Sequence, residues 1–332
     1  MTILFMGTPE FAVPSLKALV EHGYNVVGAV TQIDRPKDRG HTLKAPPVKE
    51  YAVNHNIPVY QPCKLSKEPD MVNALRELAP DLIVTCAFGQ LLPQSVLDIP
   101  KLGTINVHGS LLPQYRGAAP IQWSLINGET KTGITTMFTD IGLDTGDMLL
   151  KDEITIPDDM TAGELHDVMS ECGAKTLIRT LKALEEGSLV RIPQDSNKAT
   201  YAPKIEKNTG WIDWTQSSRK IHDRIRGCTP WPGAYSEFCN CRVRICRSEL
   251  SESPYSDSDK SLITNDALPG TILKLDPDGM WVKSGDGALL IREIQVDSCK
   301  RMTPQQYACG HELKEGMLLL CKQSQASSGR PL

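Results

Sequence analysis

Two side chains suited to chemistry at a carbonyl group stand on alternate residues at the end of a predicted strand, Asn106 and His108. A turn follows them at once. Further along, the stretch Gly142-Leu-Asp144-Thr-Gly146-Asp147 predicts a second turn that can return a carboxylate to the same place. An amide, an imidazole and a carboxylate on loops at one sheet edge suit proton transfer and stabilisation of an oxyanion.

Each of these residues also has an ordinary structural interpretation. Asn106 and Asp144 are common turn residues that bond their own backbone, but that reading leaves their co-occurrence with His108 unexplained. Ser110 lacks the GxSxG elbow of a serine hydrolase. The stretch 7–12 follows a strand but lacks the GxGxxG spacing of a dinucleotide site. With no protein nucleophile evident, we expect the attacking group to come from a substrate.

Short apolar runs alternate with helical patterns through the first half of the chain. The runs predict strands at 3–6, 26–30, 58–60, 81–85 and 103–108, and helices at 9–21, 46–55, 67–78 and 161–186. This alternation favours an α/β fold with a doubly wound, mostly parallel, Rossmann-like sheet. Ligands in such sheets bind at the carboxyl ends of strands, where Asn106 and His108 are expected.

The second half of the chain has a different pattern. After an amphipathic helix near 215–227 come short runs at 242–246, 270–275, 279–282 and 288–291, whose spacing predicts a small OB-like β-barrel. We expect an N-terminal catalytic domain over 1–189, a linker over 190–206, a C-terminal domain over 207–315 and a tail over 316–332. The stretch 251–261 is expected to be a mobile loop.

Bulk properties narrow the class of protein. The chain has 332 residues, 40% hydrophobic and 23% charged, as in soluble globular proteins. We read no signal peptide, and no apolar run approaches the roughly 18 residues of a membrane span. We therefore expect a cytoplasmic protein with no membrane partner. The ten cysteines are interpreted as free thiols rather than as disulfides or a metal site.

Net charge is distributed unevenly along the chain. Residues 1–206 carry 19 basic and 25 acidic side chains, a net of −6, whereas residues 207–332 carry 17 and 15, a net of +2. The loop 34–49 is locally basic, with Arg35, Lys37, Arg39, Lys44 and Lys49 against two aspartates. Such basic segments suggest a polyanionic partner, although a solvated surface is their ordinary interpretation.

Five stretches together resemble a known family. The pattern Asn106-x-His108-x-Ser-Leu-Leu-Pro-x-Tyr-Arg-Gly, followed by Gly142-x-Asp144-x-Gly-Asp147, is similar to the signature of formyltransferases that use 10-formyltetrahydrofolate. The stretches 7–12, 34–49 and 226–235 are most similar to the methionyl-tRNA formyltransferases among them. The resemblance covers residues 1 to about 315. It implies transfer of the formyl group to the α-amino group of methionyl initiator tRNA, for translation initiation.

The resemblance also implies roles for particular residues. Asn106, His108 and Asp144 would be catalytic, with Asn106 and His108 donating to the formyl oxyanion and Asp144 orienting His108 or accepting the amine proton through water. The folate would lie against Phe88, Gly89, Ser110, Leu111, Leu112, Pro113 and Asp140. The methionyl side chain would lie near Thr8, Pro9 and Phe11, and tRNA near Arg35, Arg39, Lys44, Arg219, Arg224 and Arg226. We expect a monomer that needs no metal ion.

Three alternatives remain open from the sequence. The first is a formyltransferase for a small amine, such as a sugar nucleotide or glycinamide ribonucleotide. The C-terminal domain and the basic loop argue against it. The second is a non-catalytic nucleic-acid-binding protein on the same fold, against which the intact Asn106, His108 and Asp144 argue. The third is a hydrolase that releases formate with water as nucleophile, which would leave the C-terminal domain without a role.

Overall fold

The chain forms two compact units in the computed structural model, which describes residues 1–37, 42–239, 241–251 and 267–320. Unit 1 comprises Met1–Pro120, Lys131–Thr155 and Leu165–Pro203. Unit 2 comprises Ile121–Thr130, Ile156–Glu164 and the described residues from Lys204 onward. The domain boundaries expected from the sequence stay a prediction. Among the described residues, no helix has both the length and the apolar character needed to cross a membrane.

Unit 1 is built on a seven-stranded mixed sheet. The strands of the N-terminal half are β1 Thr2–Gly7, β2 Asn25–Val30, β3 Arg35–Lys37, β4 Thr42–Lys44, β5 Val59–Tyr60, β6 Leu82–Cys86, β7 Thr104–His108, β8 Arg116–Gly117, β9 Lys131–Phe138 and β10 Met148–Thr155. The large sheet has the order β10-β9-β7-β6-β1-β2-β5. Five of its strands, from β7 to β5 in that order, run parallel to one another, which confirms the predicted α/β class.

The helices of the N-terminal half are α1 Val13–Glu21, α2 Pro47–Asn54, α3 Pro69–Glu77, α4 Gln94–Leu97, α5 Pro120–Ile126 and α6 Ala162–Glu185. Helices α1, α2 and α3 lie within ranges that the sequence predicts and have proline in their first turns, whereas α4 and α5 were not predicted. Proline suits the first helical turn because its missing N–H would have no partner there. The predicted long helix over 161–186 is confirmed within one residue at each end.

The antiparallel strands β9 and β10 were not anticipated from the sequence. β9 is buried along most of its length. It contains the buried polar residues Thr132, Thr135 and Thr136, which interrupt the apolar run that would identify a core strand in the sequence. Threonine is a good strand former because its branched side chain fits a pleated surface. The Thr135 hydroxyl donates to the Ser110 carbonyl oxygen, and the Thr136 hydroxyl lies 2.8 Å from that of Thr180. Because β9 pairs with β7, it completes the sheet beside His108.

The described C-terminal part of the chain forms a five-stranded antiparallel sheet with helices. Its elements are a short strand β11 Tyr201–Ala202, α7 Ser218–Gly227, β12 Ala234–Phe238, β13 Cys241–Glu249, β14 Ile272–Asp276, β15 Gly279–Lys283, β16 Ala288–Val296 and α8 Pro304–Ala308. β11 pairs with β8 of unit 1, to which it belongs. The remaining strands follow the order β12-β13-β16-β15-β14 in unit 2. Closure of this sheet into an OB-like barrel stays a prediction.

Helix α7 carries a buried charge network in unit 2. Asp223 is only 2% exposed, and its Oδ1 accepts a hydrogen bond of 2.7 Å from Arg226 Nε. Its Oδ2 accepts one of 3.0 Å from Arg219 Nε. Beside it, burial lowers the pKa of His222, whose ring lies 2.8 Å from the Asp158 carbonyl oxygen. These contacts join α7 to the segment 156–164 of the same unit.

We expect Asp223→Ala to reduce the free energy of unfolding by about 3–5 kcal/mol, because it leaves the buried guanidinium of Arg226 without its carboxylate. Chemical denaturation followed by tryptophan fluorescence measures this loss. The matched control is Lys314→Ala, which removes the exposed ion pair with Glu312 and is expected to cost less than about 1 kcal/mol. Equal losses in the two variants would contradict the assignment of Asp223 as the buried anchor of α7.

Candidate active site

The central strand β7 positions the first two candidate catalytic residues. Asn106 and His108 are two residues apart, so their side chains project from the same face of the sheet. β7 lies between β6 and β9, with Asn106 opposite Thr85 on one side and His108 opposite Thr135 on the other. A central, buried strand therefore fixes the backbone of both residues from two sides.

The His108 imidazole is buried and both its nitrogen atoms face polar groups. Nε2 lies 3.0 Å from the Tyr115 carbonyl oxygen. A carbonyl oxygen only accepts, so Nε2 carries the proton in this arrangement. Nδ1 lies 3.7 Å from Asp144 Oδ2, too far for a direct hydrogen bond. In its neutral form the ring therefore presents a lone pair at Nδ1, because its one N–H is used on the Tyr115 carbonyl oxygen.

Asp144 reaches His108 from a tight turn. Its backbone has φ of +52°, a left-handed conformation that aspartate tolerates better than most residues. Its Oδ2 accepts a hydrogen bond of 2.8 Å from the Gly117 backbone N–H. Gly146 closes the turn so tightly that a Cβ there would lie 1.8 Å from the Phe138 carbonyl oxygen, so only glycine fits. The structure therefore brings the carboxylate to the imidazole, as the sequence predicted.

Thr85 orients the Asn106 amide, and sequence reasoning did not identify it. The Thr85 hydroxyl donates a hydrogen bond of 2.9 Å to Asn106 Oδ1. Because the amide oxygen is occupied, the amide nitrogen is the group left to donate elsewhere. In the sequence, Thr85 was identified only as the last residue of the predicted buried strand 81–85. Nothing in its sequence neighbourhood indicates the cross-strand pairing with Asn106.

The loop 110–113 is anchored by its backbone. The Ser110 hydroxyl donates a hydrogen bond of 2.6 Å to the Gln114 carbonyl oxygen, so it closes the turn rather than serving as a nucleophile. Thr135 donates to the Ser110 carbonyl oxygen and accepts from the Leu112 N–H, at 2.7 and 3.1 Å. Leu112 packs on Met137 and Met148.

Other predicted folate contacts have structural roles of their own. The Phe88 side chain is buried in a core cluster of unit 1, leaving only its backbone and that of Gly89 to face a ligand. Asp140 Oδ1 accepts hydrogen bonds from the Gly142 N–H and the Thr145 hydroxyl, at 3.0 and 2.6 Å, which shapes the turn that carries Asp144. Lys151 donates to the Leu112 carbonyl oxygen, and burial lowers the pKa of this lysine.

The predicted methionyl contacts lie at the carboxyl end of β1. The Thr8 hydroxyl donates a hydrogen bond of 3.0 Å to the Phe88 carbonyl oxygen, and Pro9 precedes a 3₁₀ turn. Phe11 is nearly buried and packs edge-on against the His166 ring at 5.3 Å. Since β1 and β7 both pair with β6 in parallel, this end of β1 faces the same sheet edge as His108.

The predicted basic contacts differ in their availability to a polyanion. Arg35 and Lys44 are exposed and paired across the β3–β4 hairpin, and Arg35 also donates to Gln32. Arg39 lies outside the described residues. In unit 2, Arg219 pairs with Asp158 and Asp223. Arg224 donates a hydrogen bond of 2.7 Å to the Thr209 carbonyl oxygen.

Arg226 requires a correction. The sequence assigned it to tRNA contacts, but it is only 3% exposed and is ion-paired with Asp223. It also donates to the Pro157 carbonyl oxygen. Removing this guanidinium from its carboxylate would leave a buried charge unpaired, which costs several kcal/mol, on the order of 3–5. Arg226 is therefore a structural residue of unit 2.

Two matches define the class of protein to which this site belongs. Residues 1–181 match the formyl transferase family, and residues 204–312 match the formyl transferase C-terminal domain. A protein of Acetivibrio thermocellus named methionyl-tRNA formyltransferase is 52% identical over 320 residues, covering 96% of this chain and 99% of that protein. A protein of the same name from Clostridioides difficile is 47% identical over 319 residues, covering 96% and 100%.

The chain belongs to the formyl transferase family, which its fold and its Asn106, His108 and Asp144 already indicated. Within that family it belongs to the methionyl-tRNA formyltransferases, because relatives at about half identity align along nearly the whole of both chains.

Solved structures support the fold at lower identity. A sugar 3N-formyl transferase, WlaRD, has a TM-score of 0.64 at 18% identity and covers 90% of this chain and 99% of its own. HypX from Aquifex aeolicus has a TM-score of 0.62 at 19% identity and covers 95% of this chain, which spans only 48% of HypX. These similarities establish the architecture alone.

The geometry predicts the neutral tautomer of His108. Nitrogen-15 NMR of the ring is expected to show a protonated Nε2 and an unprotonated Nδ1, at a pH where the ring is neutral. His55 is an internal control with the opposite expectation, because its Nδ1 lies 2.8 Å from the Tyr51 carbonyl oxygen. Finding the Nδ1–H form at His108 would contradict the contact with Tyr115.

Proposed function

We propose that this protein transfers the formyl group of 10-formyltetrahydrofolate to the α-amino group of methionyl initiator tRNA. The product is N-formylmethionyl-tRNA, which is used to initiate translation, and the protein acts as a monomer. Full-length similarity to proteins named methionyl-tRNA formyltransferase supports the choice of acceptor. WlaRD, whose structure was determined with 5-N-formyl-THF, supports a folate as the donor.

The observation that carries the proposed chemistry is the grouping of three polar side chains at one sheet edge. His108 Nδ1 faces Asp144 Oδ2 at 3.7 Å, and Asn106 stands two residues before His108 on the same strand. No redox group or protein nucleophile is required for such a set to act. It suits a reaction in which a substrate amine attacks a carbonyl carbon.

The reaction begins with the neutral α-amino group of the methionyl ester. Its nitrogen lone pair attacks the formyl carbon, and the electrons of the carbonyl double bond move to the formyl oxygen. The nitrogen then carries an extra proton, which His108 Nδ1 accepts directly or through water. Asp144 stabilises the imidazolium that results, because its carboxylate faces the newly protonated nitrogen.

Asn106 stabilises the charge that develops on the formyl oxygen. The Thr85 hydroxyl occupies Asn106 Oδ1, so the amide nitrogen is the donor available to the oxyanion. Removing one such donor typically costs about 3–4 kcal/mol of transition-state stabilisation. Collapse of the intermediate breaks the bond between the formyl carbon and N10 of the folate. The imidazolium of His108 returns its proton to N10, directly or through water, and tetrahydrofolate leaves with the ring neutral again.

The donor and acceptor must lie together at this edge. We assign the folate to the backbone of Phe88–Gly89, the loop Ser110–Pro113 and the turn Asp140–Asp144. The methionyl side chain is assigned to Thr8, Pro9 and Phe11, where an apolar wall is present. Holding both substrates in this geometry supplies the entropic part of the catalysis, because a bimolecular step becomes effectively unimolecular.

The basic residues of the β3–β4 hairpin are assigned to the tRNA. Arg35 and Lys44 are exposed on facing strands, and Arg39 stands between them in the sequence, outside the described residues. Arg219 and Arg224 remain proposed contacts in unit 2, through the parts of their guanidinium groups that their protein partners leave free. Cationic side chains placed on phosphates release counterions, so this surface contributes salt-dependent affinity.

The direct test incubates the protein with 10-formyltetrahydrofolate and charged initiator tRNA and measures N-formylmethionine. We expect transfer by the unchanged chain and a loss of at least about 100-fold in kcat for His108→Ala, with tRNA affinity retained. A sugar nucleotide amine and glycinamide ribonucleotide serve as competing acceptors. Efficient formylation of either one, or release of formate without transfer from a folded preparation, would reject the proposed function.

The tRNA surface is tested by the double variant Arg39→Ala, Lys44→Ala. We expect weaker tRNA binding and a shallower dependence of log Kd on log salt, by nearly one unit for each lost phosphate contact. Saturating kcat should stay near that of the unchanged chain. Lys175→Ala with Lys182→Ala, on exposed positions of α6, is the charge-matched control. An identical salt slope in both double variants would remove the hairpin from the RNA-binding surface.

A further inference from the structure

One segment of unit 1 contacts both the loop that follows His108 and the turn that carries Asp144. This segment, residues 192–202, falls entirely within the stretch 190–206 that the sequence predicted as a linker. It exchanges two backbone hydrogen bonds of 2.9 Å between Ile192 and Met148. Near its other end, Thr200 accepts hydrogen bonds of 2.9 Å from the backbone N–H groups of Tyr115 and Arg116. The segment is therefore a part of the fold beside the site.

Gln194 lies between those two attachments and holds the turn that carries Asp144. Its Nε2 donates hydrogen bonds of 2.9 Å to the Asp144 carbonyl oxygen and 2.8 Å to the Gly146 carbonyl oxygen. Both protons of one side-chain amide are thus used on one tight turn. The backbone of Asp144, at φ of +52°, is fixed on the carbonyl side by Gln194, and its carboxylate is fixed by the Gly117 N–H.

Arg116 determines which way the Gln194 amide faces. Its Nε and Nη2 donate to Gln194 Oε1 at 3.0 and 2.9 Å. Arg116 is only 3% exposed, and within the described residues its guanidinium forms no ion pair with a carboxylate. The buried positive charge thus acts on a neutral amide. It polarises that amide, which strengthens the two bonds that Nε2 donates to the turn.

We propose that Gln194 is a positioning residue for the formyl transfer, acting with Arg116 to hold the Asp144 carboxylate toward His108. This inference rests on the proposed function. Gln194 touches neither the reacting atoms nor the carboxylate itself. It acts through the backbone of Asp144, whose side chain must lie within a few tenths of an ångström of its place for the proton transfer. Misplacing a catalytic group by about 1 Å can cost about 100-fold in rate.

The chain offers two substitutions that separate positioning from stability. Gln194→Ala removes the contacts to Arg116 and to the turn together. Gln194→Glu supplies a carboxylate that pairs with the buried Arg116, so the contact to the guanidinium is kept and strengthened. An ionised glutamate has no proton to donate, however, so the carbonyl oxygens of Asp144 and Gly146 lose their donor in both variants.

The test measures kcat, KM for each substrate and thermal stability for both variants, at a temperature where each is folded. We expect kcat to fall by at least 10-fold in both, with each KM within about 2-fold of the unchanged chain. Gln194→Glu should match or exceed Gln194→Ala in melting temperature. Its loss of kcat despite that stability is the result that a purely structural role does not produce.

The control is Gln295→Ala in unit 2, which also removes a side-chain amide that donates to a backbone carbonyl oxygen, that of Cys299. Its kcat is expected to stay within 2-fold. Retained kcat in Gln194→Glu, or a rise in KM with kcat unchanged, overturns the positioning role. The proposed function fails separately, because absence of transfer by the unchanged chain rejects it whatever the variants do.

A spectroscopic measurement gives a second readout that does not depend on turnover. Nitrogen-15 NMR of His108 is expected to shift at Nδ1 in both Gln194 variants, because the facing carboxylate moves, while Nε2 keeps its contact with Tyr115. Unchanged Nδ1 resonances in both variants would show that Asp144 keeps its place without Gln194, and the inference would be wrong.

Discussion

The approach of the Asp144 carboxylate to the buried His108 ring is the contact on which the rest of the site depends. His108 ends strand β7 and Asp144 lies in a separate turn, and 3.7 Å between Oδ2 and Nδ1 leaves no direct hydrogen bond to hold them together. Their positions are therefore set from outside, by the Gly117 N–H on the carboxylate and by the Tyr115 carbonyl oxygen on the ring. Preorganisation of this kind is what allows fixed polar groups to act on a transition state.

Backbone groups supply most of that preorganisation. The loop from Ser110 to Gly117 presents main-chain donors and acceptors, and two threonine side chains bind several of them. These are Thr135 on β9 and Thr200 just before β11. Thr135, which lies on β9, binds the loop that follows β7, and Thr85, which lies on β6, binds the Asn106 amide. Buried backbone polar groups need hydrogen-bond partners, so these hydroxyls both hold the loop in place and supply the partners of its N–H and C=O groups. The antiparallel addition of β9 is thus as important to the site as the parallel core.

The sequence predicted much of this arrangement for identifiable reasons. Strand and helix periodicity located β1, β2, β6, β7 and α6, and the Gly-rich turn around Asp144 was visible as a loop able to reach a strand end. It did not predict β9 and β10, because threonines at buried positions break the apolar pattern that marks a core strand. The sequence also assigned Arg226 to tRNA contacts. A buried arginine cannot be distinguished from an exposed one by sequence alone, and nothing in the sequence shows that Asp223, three residues earlier on the same helix, is its buried ion-pair partner.

The sequence by itself determined which chemical groups are present, that Asn106 and His108 end one strand, and that glycines allow the tight turn at Asp144. Only the tertiary structure decided which ring nitrogen of His108 carries the proton, which atom of the Asn106 amide is free, and that Gln194 lies under the catalytic turn. The physical reason is that each of these depends on a partner distant along the chain, such as Tyr115 O, Thr85 or Arg116. The tautomer of an imidazole and the orientation of a side-chain amide are set by the hydrogen-bond donors and acceptors that the fold places beside them.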